Sequence, residues 1–216
     1  MLYDLSDMYR RRLGGDLHFR GALYSLLCRE FFQRRIPADS TVLEVAAGYC
    51  EFINHIRAKR KIALDLNPEF KKFAAPEVET LISQSTNIKL PDGSIDVVFV
   101  SNFFEHITKD DILHTLREIR RVLKDGGSLL IMQPNIRYCF NDFWMFFDHI
   151  TPLDDRSLVE ILELNDFKIT ECKPRFLPFS LKNTLLPKSL LLLKIYLRFP
   201  ILHSIFGQQA FIHAKK

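Results

Sequence analysis

The sequence predicts an α/β protein, a largely parallel sheet with helices on both faces, and three observations lead there. Short apolar runs recur at residues 41–46, 61–66, 78–83, 95–101 and 128–133, and helical patterns alternate with them along the chain. The run "IDVVFVS" at 95–101 is apolar almost throughout, as expected of a strand covered on both sides. Residues 110–124 place Ile112, Leu113, Leu116, Ile119, Val122 and Leu123 at helical spacing, and Gly126-Gly127 is expected to end that helix.

The elements follow in order. Residues 17–35 read as a helix with Leu17, Leu23, Leu26, Leu27, Phe31 and Phe32 on one face, stopped by Pro37. "TVLEVA" is a first strand, 50–58 a helix and "KIALDL" a second strand. Asn67-Pro68 then opens a helical stretch that fades before Pro76, and "VETLIS" is a weaker third strand. "PDGS" at 91–94 is a turn before the buried strand. Beyond Pro134 the character changes: Tyr138, Phe140, Phe143, Trp144, Phe146 and Phe147 crowd one short segment. A helix over 154–164, a strand over 167–173, a long apolar insertion over 177–206 and a last strand at "QAFIHA" complete the chain.

With 216 residues, 47% of them hydrophobic and 26% charged, the chain suits one ordered domain spanning 1–216. Its formal charge of +4 is too small to argue for nucleic acid. The basic runs "YRRRL" and "RAKRK" are short and separated, so nucleic acid is not the expected partner. Cys28, Cys50, Cys139 and Cys172 are far apart and form no CxxC pair, which reads as reduced thiols of a cytoplasmic protein with no metal site. Asp4, Asp7 and Asp16 among the first residues exclude an ordinary signal peptide. No run of eighteen apolar residues suggests a spanning helix.

The chemistry is expected around "VLEVAAGYCEF", where one glycine, Gly48, follows the first strand. A nucleoside-triphosphate loop needs a chain of open amides and a following Lys-Ser or Lys-Thr pair, both missing here. The dinucleotide fingerprint G-x-G-x-x-G does not fit Ala46-Ala47-Gly48-Tyr49-Cys50-Glu51 either. In an open parallel sheet, ligands sit outside the carboxyl ends of the strands, where strand order reverses. Glu44, Gly48 and Asp65 fall at such ends, and a carboxylate closing the second strand suits the two hydroxyls of a ribose; a helix cap or turn is the other role open to Asp65.

The succession "VLEVAAGYCEFI", "ALDLNP", "LPDGSIDVVFVSNFFEHI" and "LREIRRVLKDGGSLLIMQPN" resembles the class I S-adenosylmethionine-dependent methyltransferases over roughly residues 40–135. Glu44 matches the acid of that family's first motif and Gly48 its central glycine, whereas Ala46 and Cys50 replace the flanking glycines. The resemblance implies a Rossmann-like three-layer αβα sandwich with a seven-stranded, mostly parallel sheet and an antiparallel last strand. It implies S-adenosylmethionine as cofactor, with Glu44 to Cys50 against its methionine part, Asp65 on the ribose and Leu66 beside the adenine. Ser85, Thr86 or Asn87 stands where family members often carry an adenine-reading aspartate, and Asn102 and Phe103 would border the sulfonium.

Methyl transfer to a hydroxyl invites a general base. His106 in "FFEHI" and His149 in "FFDHITPL" are the catalytic candidates, with Asp148 beside the latter; a loop-holding role for His106 and a turn-stabilising role for His149 are the alternatives. The N-terminal helical segment 1–37, Asn135, Tyr138, Asp148 and the acceptor-side segment 134–153 are expected to form the acceptor pocket. In "SLLLLKIYLRF", Lys194 and Arg198 are four apart on an otherwise apolar helix. This fits either a helix lying on the inner face of a membrane through 187–206, or one packed on the sheet edge or in a homodimer. The tail also resembles bacterial methyltransferases of cell-surface glycan biosynthesis, which implies a small-molecule or glycan hydroxyl acceptor, lipid-linked in the membrane case. A non-catalytic methyltransferase-like subunit and a nucleic-acid methyltransferase are the alternatives.

Overall fold

The computed structural model describes residues 17–178 and 189–216. The start of the N-terminal segment, with its "YRRRL" run, and residues 179–188 of the apolar insertion lie outside the described residues. Helix α1 spans Leu17–Glu30 and is followed by a 3-10 turn, Phe32–Arg34. Strand β1 (Thr41–Val45), helix α2 (Glu51–His55), strand β2 (Arg60–Asp65), strand β3 (Val78–Ile82) and strand β4 (Ile95–Ser101) come next. Then follow α3 (Lys109–Val122), β5 (Leu123–Pro134), α4 (Ile136–Phe143), α5 (Asp155–Leu164), β6 (Lys168–Lys173), α6 (Leu190–Arg198), α7 (Pro200–Phe206) and β7 (Gln209–Lys215).

The seven strands form one sheet in the order β3-β2-β1-β4-β5-β7-β6. All pairs are parallel except β5–β7 and β6–β7, so the antiparallel last strand is present as expected. Strand order reverses between β1 and β4, whose register aligns Val45 with Val100.

The alternating faces of the strands separate two cores. Leu43, Val45, Val98 and Val100 pack with Ile112, Leu116 and Ile119 of α3 and with Leu158 and Leu162 of α5. On the opposite side Val42, Val97 and Phe99 pack with Leu27, Cys28 and Phe32 near α1, Phe52 and Ile53 of α2, and Tyr196 of α6. This is the three-layer sandwich.

Local chemistry sets the helix boundaries. Thr108 caps α3 by accepting from the Asp111 amide, with acids in its first turn and Arg120 and Arg121 in its last. Asp154 and Ser157 form a reciprocal capping box on α5. Phe199 closes α6 and opens α7, with Pro200 as the first residue of the second helix, so proline breaks the apolar tail into two.

Three expectations are corrected. The helix expected over 50–58 is only Glu51–His55, and the stretch after Asn67-Pro68 is a 3-10 turn, Pro68–Lys72. Helix α3 stops at Val122 without help from Gly126-Gly127, because Leu123 already pairs with Ile95. The next pair is Val97 with Ser128, so the glycines lie in the bulge between these pairs. The aromatic segment contains a helix, α4, capped by Asn135, whose side chain accepts from the Arg137 amide. Among the described residues no helix is long and apolar enough to cross a membrane.

Candidate functional site

The carboxyl ends of β1, β2 and β4 converge where strand order reverses. Leaving β1, the backbone turns through three left-handed residues at alternate positions: Ala46 at φ 56°, Gly48 at 52° and Cys50 at 57°. Each such residue with a Cβ costs on the order of 1–2 kcal/mol, which explains why glycine suits all three positions. At Gly48 the strain is absent, and a Cβ built there would meet nothing within 4 Å. The turn is therefore open to a ligand.

Asp65, at the end of β2, faces this turn. Its Oδ2 accepts from the Gly48 amide at 2.9 Å and its Oδ1 from the Asn67 amide at 2.9 Å. The Leu66 amide also bonds this carboxylate, so of its roughly four acceptor positions about one remains for a ribose hydroxyl. Burial raises the Asp65 pKa, against the opposing pull of the Asn67 and Gly48 amides. Leu66 beside it is exposed, available to cover an adenine.

Glu44, paired in register with Ala63, lies on the same face of the sheet as Asp65 and is 6% exposed. Its Oε2 accepts from the Ile53 amide at 3.0 Å, tying β1 to α2. Burial pushes its pKa well up despite that amide, and the charges of Glu51 and Asp65 add to the rise. A cationic ammonium is the natural counterpart of such a group. Nearby, Arg20 and Tyr24 of α1 reach the same end of the sheet. Arg20 pairs with Glu51 at 2.7 Å, and the Tyr24 hydroxyl meets Ser101 Oγ at 3.3 Å. These two residues were not anticipated from the sequence. The signal was there, since Arg20 and Tyr24 are four apart on one face of a helix otherwise read for its apolar stripe.

Asn102, just past β4, is also left-handed at φ 48°, and its Oδ1 is a buried acceptor with no hydrogen-bond partner. Phe103, half-buried, packs against the core. In the third loop, the Ser85 hydroxyl pairs with Thr115 of α3 at 2.8 Å. Thr86 is half-buried and Asn87 exposed.

The 3-10 turn Phe104–His106 brings the acid-base candidates together. His106 Nδ1 lies 3.0 Å from Asp148 Oδ2, and its ring centroid is 4.8 Å from that of His149. Asp148 is thus a partner of His106. Its expected substrate role gives way to this internal pairing, because the side chain is 6% exposed and turned onto the imidazole. Burial works to lower the His106 pKa, but the hydrogen bond to Asp148 and the charge of Glu105 win, and the net direction is upward. Glu105 is 1% exposed and its Oε2 accepts from Gln133 Nε2 at 2.9 Å. The same residue's carbonyl accepts from the Ile150 and Thr151 amides, and Thr151 Oγ1 donates to the Ile107 carbonyl at 2.6 Å. The segment after α4 is thus fastened onto the end of β4.

Asn135 is fully buried. Its amide donates to Asp155 Oδ1 at 2.7 Å and to the Pro174 carbonyl at 2.9 Å, while its oxygen caps α4. All its polar groups are engaged in the fold, which corrects its expected acceptor contact to a positioning one. Tyr138 is half-buried between guanidinium groups, with Arg175 4.7 Å and Arg137 5.1 Å from its ring centre.

The residues present fit the cofactor by three observations: an open glycine turn, an acid with an acceptor position left beside it, and an unpaired buried acceptor at Asn102. Comparison with known proteins agrees. Residues 43–131 match the family model described as a methyltransferase domain. An uncharacterised protein of Methanocaldococcus jannaschii is 27% identical over 150 residues, 67% of this chain and 61% of that protein. A ubiquinone/menaquinone biosynthesis C-methyltransferase of a Caulobacter strain is 35% identical over 75 residues, 32% of this chain and 29% of that one. The chain thus spans less than two thirds of the length of either relative. Among solved structures, one of a SAM-dependent methyltransferase from Archaeoglobus fulgidus superposes with a TM-score of 0.71 at 22% identity, covering 99% of this chain and 100% of that one.

Proposed function

We propose that this chain, which belongs to the class I S-adenosylmethionine-dependent methyltransferase family, moves the cofactor's methyl group to a hydroxyl of a small-molecule or glycan acceptor. The observation that carries the reading is the 2.9 Å contact of Asp65 with the Gly48 amide at the open turn where strand order reverses. When bound, S-adenosylmethionine supplies a sulfonium methyl carbon open to in-line displacement and a neutral thioether as leaving group. Asp65 would hold the ribose, Glu44 the ammonium and Leu66 the adenine face. The acceptor O–H loses its proton, its oxygen forms the new O–CH3 bond, and the methyl–sulfur bond breaks. Glu105, His106, Asp148 and His149 form a polar cluster just past β4, the strand beside β1, that can take charge of that proton. Orientation at near-attack distance does the remaining work.

Exposed apolar side chains support an acceptor carried on lipid. Phe147 is 80%, Ile201 71% and Leu191 67% exposed, with the cations Lys194 and Arg198 close to the last two in sequence. A surface of that kind suits peripheral contact with the cytoplasmic face of a membrane, where a lipid-linked glycan is met.

Calorimetry with S-adenosylhomocysteine tests the cofactor site, and transfer of labelled methyl to a panel of sugars and lipid-linked glycans tests the acceptor. Micromolar binding and an alkali-stable methyl ether are expected. Absence of binding at near-millimolar product would overturn the reading in favour of a non-catalytic subunit.

A further inference from the structure

We propose that Glu105, His106 and His149 bind a first-row divalent transition-metal ion at the acceptor side of the site, with Asp148 and Gln133 as its outer supports. The inference rests on the methyltransferase reading and deepens it by naming what receives the acceptor oxygen.

One donor atom from each of Glu105, His106 and His149 lies within 4.8 Å of the others. Donor atoms around a single ion at about 2.1 Å stand roughly 3–4 Å apart, so the triangle closes with a shift on the order of 1 Å at its widest edge. The Glu105–His106 edge already fits, with Oε1 and Nε2 3.8 Å apart.

The donors are also aimed. Asp148 Oδ2 sits 3.0 Å from His106 Nδ1, an arrangement that places the proton on Nδ1 and turns the Nε2 lone pair to Glu105. Gln133 Nε2 holds Glu105 Oε2 at 2.9 Å, which directs Oε1 to the same point. The His149 ring is packed by Phe143 and Phe146, at centroid distances of 4.5 and 4.9 Å. Asp148 on His106 reproduces the carboxylate–histidine–metal pattern, with Glu105 held by Gln133 and His149 by ring packing.

Charge argues the same way. Glu105 and Asp148 are 1% and 7% exposed, two carboxylates beside two imidazoles. A dication offsets both. The mixed imidazole and carboxylate set suits zinc, manganese or cobalt better than magnesium or calcium, which favour oxygen alone. Three protein ligands leave coordination positions for the acceptor, and a vicinal diol of a sugar would fill two of them. The ion then lowers the pKa of the hydroxyl it binds, and the proton passes to solvent before the oxygen meets the methyl carbon.

The test uses the full chain, stripped of metal by chelator. Mn2+, Co2+, Zn2+ and Mg2+ are titrated separately, and S-adenosylhomocysteine binding is measured in the metal-free protein as an independent reading of the cofactor site. One tight transition-metal site per chain is expected, at least tenfold weaker in His149→Ala and in Glu105→Gln, with product binding retained in both. Pulsed electron paramagnetic resonance of the Mn2+ form of the parent chain should show hyperfine coupling to imidazole nitrogen, a result that needs no variant to fold. Absence of that coupling, metal affinity in both variants equal to that of the parent chain, or binding of Mg2+ alone would overturn the site. If product also fails to bind, the cofactor reading falls with it; if product binds normally, only the metal inference falls.

Discussion

At the scale of single residues, the first turn shows how this chain departs, at a cost, from the glycine pattern it resembles. Ala46 and Cys50 hold left-handed backbone where a glycine would be relaxed. Ala46→Gly is expected to raise stability, since the relief of about 1–2 kcal/mol exceeds the 0.5–1 kcal/mol entropic cost of glycine. A gain of about 1–4 °C in Tm is the expected reading by calorimetry for a domain of this size. An unchanged or lower Tm would contradict the strain. Cys50 is a poorer test, because it is fully buried and its loss would also open a cavity. Asp65→Ala removes the group that faces the glycine turn. S-adenosylhomocysteine should then bind more than tenfold more weakly, over ~1.4 kcal/mol, by titration calorimetry. Parental affinity in that variant would take the ribose away from Asp65.

At the scale of elements, the segment after α4 is positioned by its bonds to the end of β4. Thr151 Oγ1 donates to the Ile107 carbonyl at 2.6 Å, and the Ile150 and Thr151 amides donate to the Glu105 carbonyl. Thr151→Val keeps the shape and deletes one donor, so a loss of about 1–2 kcal/mol is expected in chemical denaturation. Hydrogen exchange at 148–151 should accelerate in the same variant; an unaltered pattern would mean that the fastening lies elsewhere. Helices α6 and α7 divide their apolar residues between two tasks. Leu193, Tyr196 and Leu197 face the core shared with α1, while Leu191, Ile195, Ile201 and Ile205 remain exposed. Replacing Leu191 and Ile201 together by Ser leaves the packed face intact and should abolish pelleting with anionic liposomes. Unchanged pelleting would remove the membrane contact, and a parent chain that forms dimers instead would assign the face to a second copy.

At the scale of the whole molecule, what was legible in the sequence is what period and punctuation encode. The strands at 41–46, 61–66 and 95–101 and the helix ending near Val122 announce themselves because burial on both faces requires continuous apolar runs. The pairing of His106 with Asp148 and the approach of His149 to Glu105 were invisible, since the fold, not the spacing, joins the turn after β4 to the segment after α4. Helix α4 was hidden by its aromatics, which read equally as wall and as core. The same convergence concentrates acids at one end of the sheet: Glu44, Glu51 and Asp65 all have pKa values raised by burial. A group whose pKa is higher folded than unfolded binds protons on folding. Its contribution is complete below the unfolded carboxylate range, and it fades as pH rises through the folded value. The ligand-free chain should therefore lose stability between mildly acidic and neutral pH, in thermal melts without product. Product binding reverses the slope, because its ammonium and hydroxyl groups favour the ionised acids. Glu44→Gln should flatten the first profile and weaken the reversal. A profile that rises toward neutral pH in the absence of product would mean that these carboxyls are ionised and paired before the cofactor arrives.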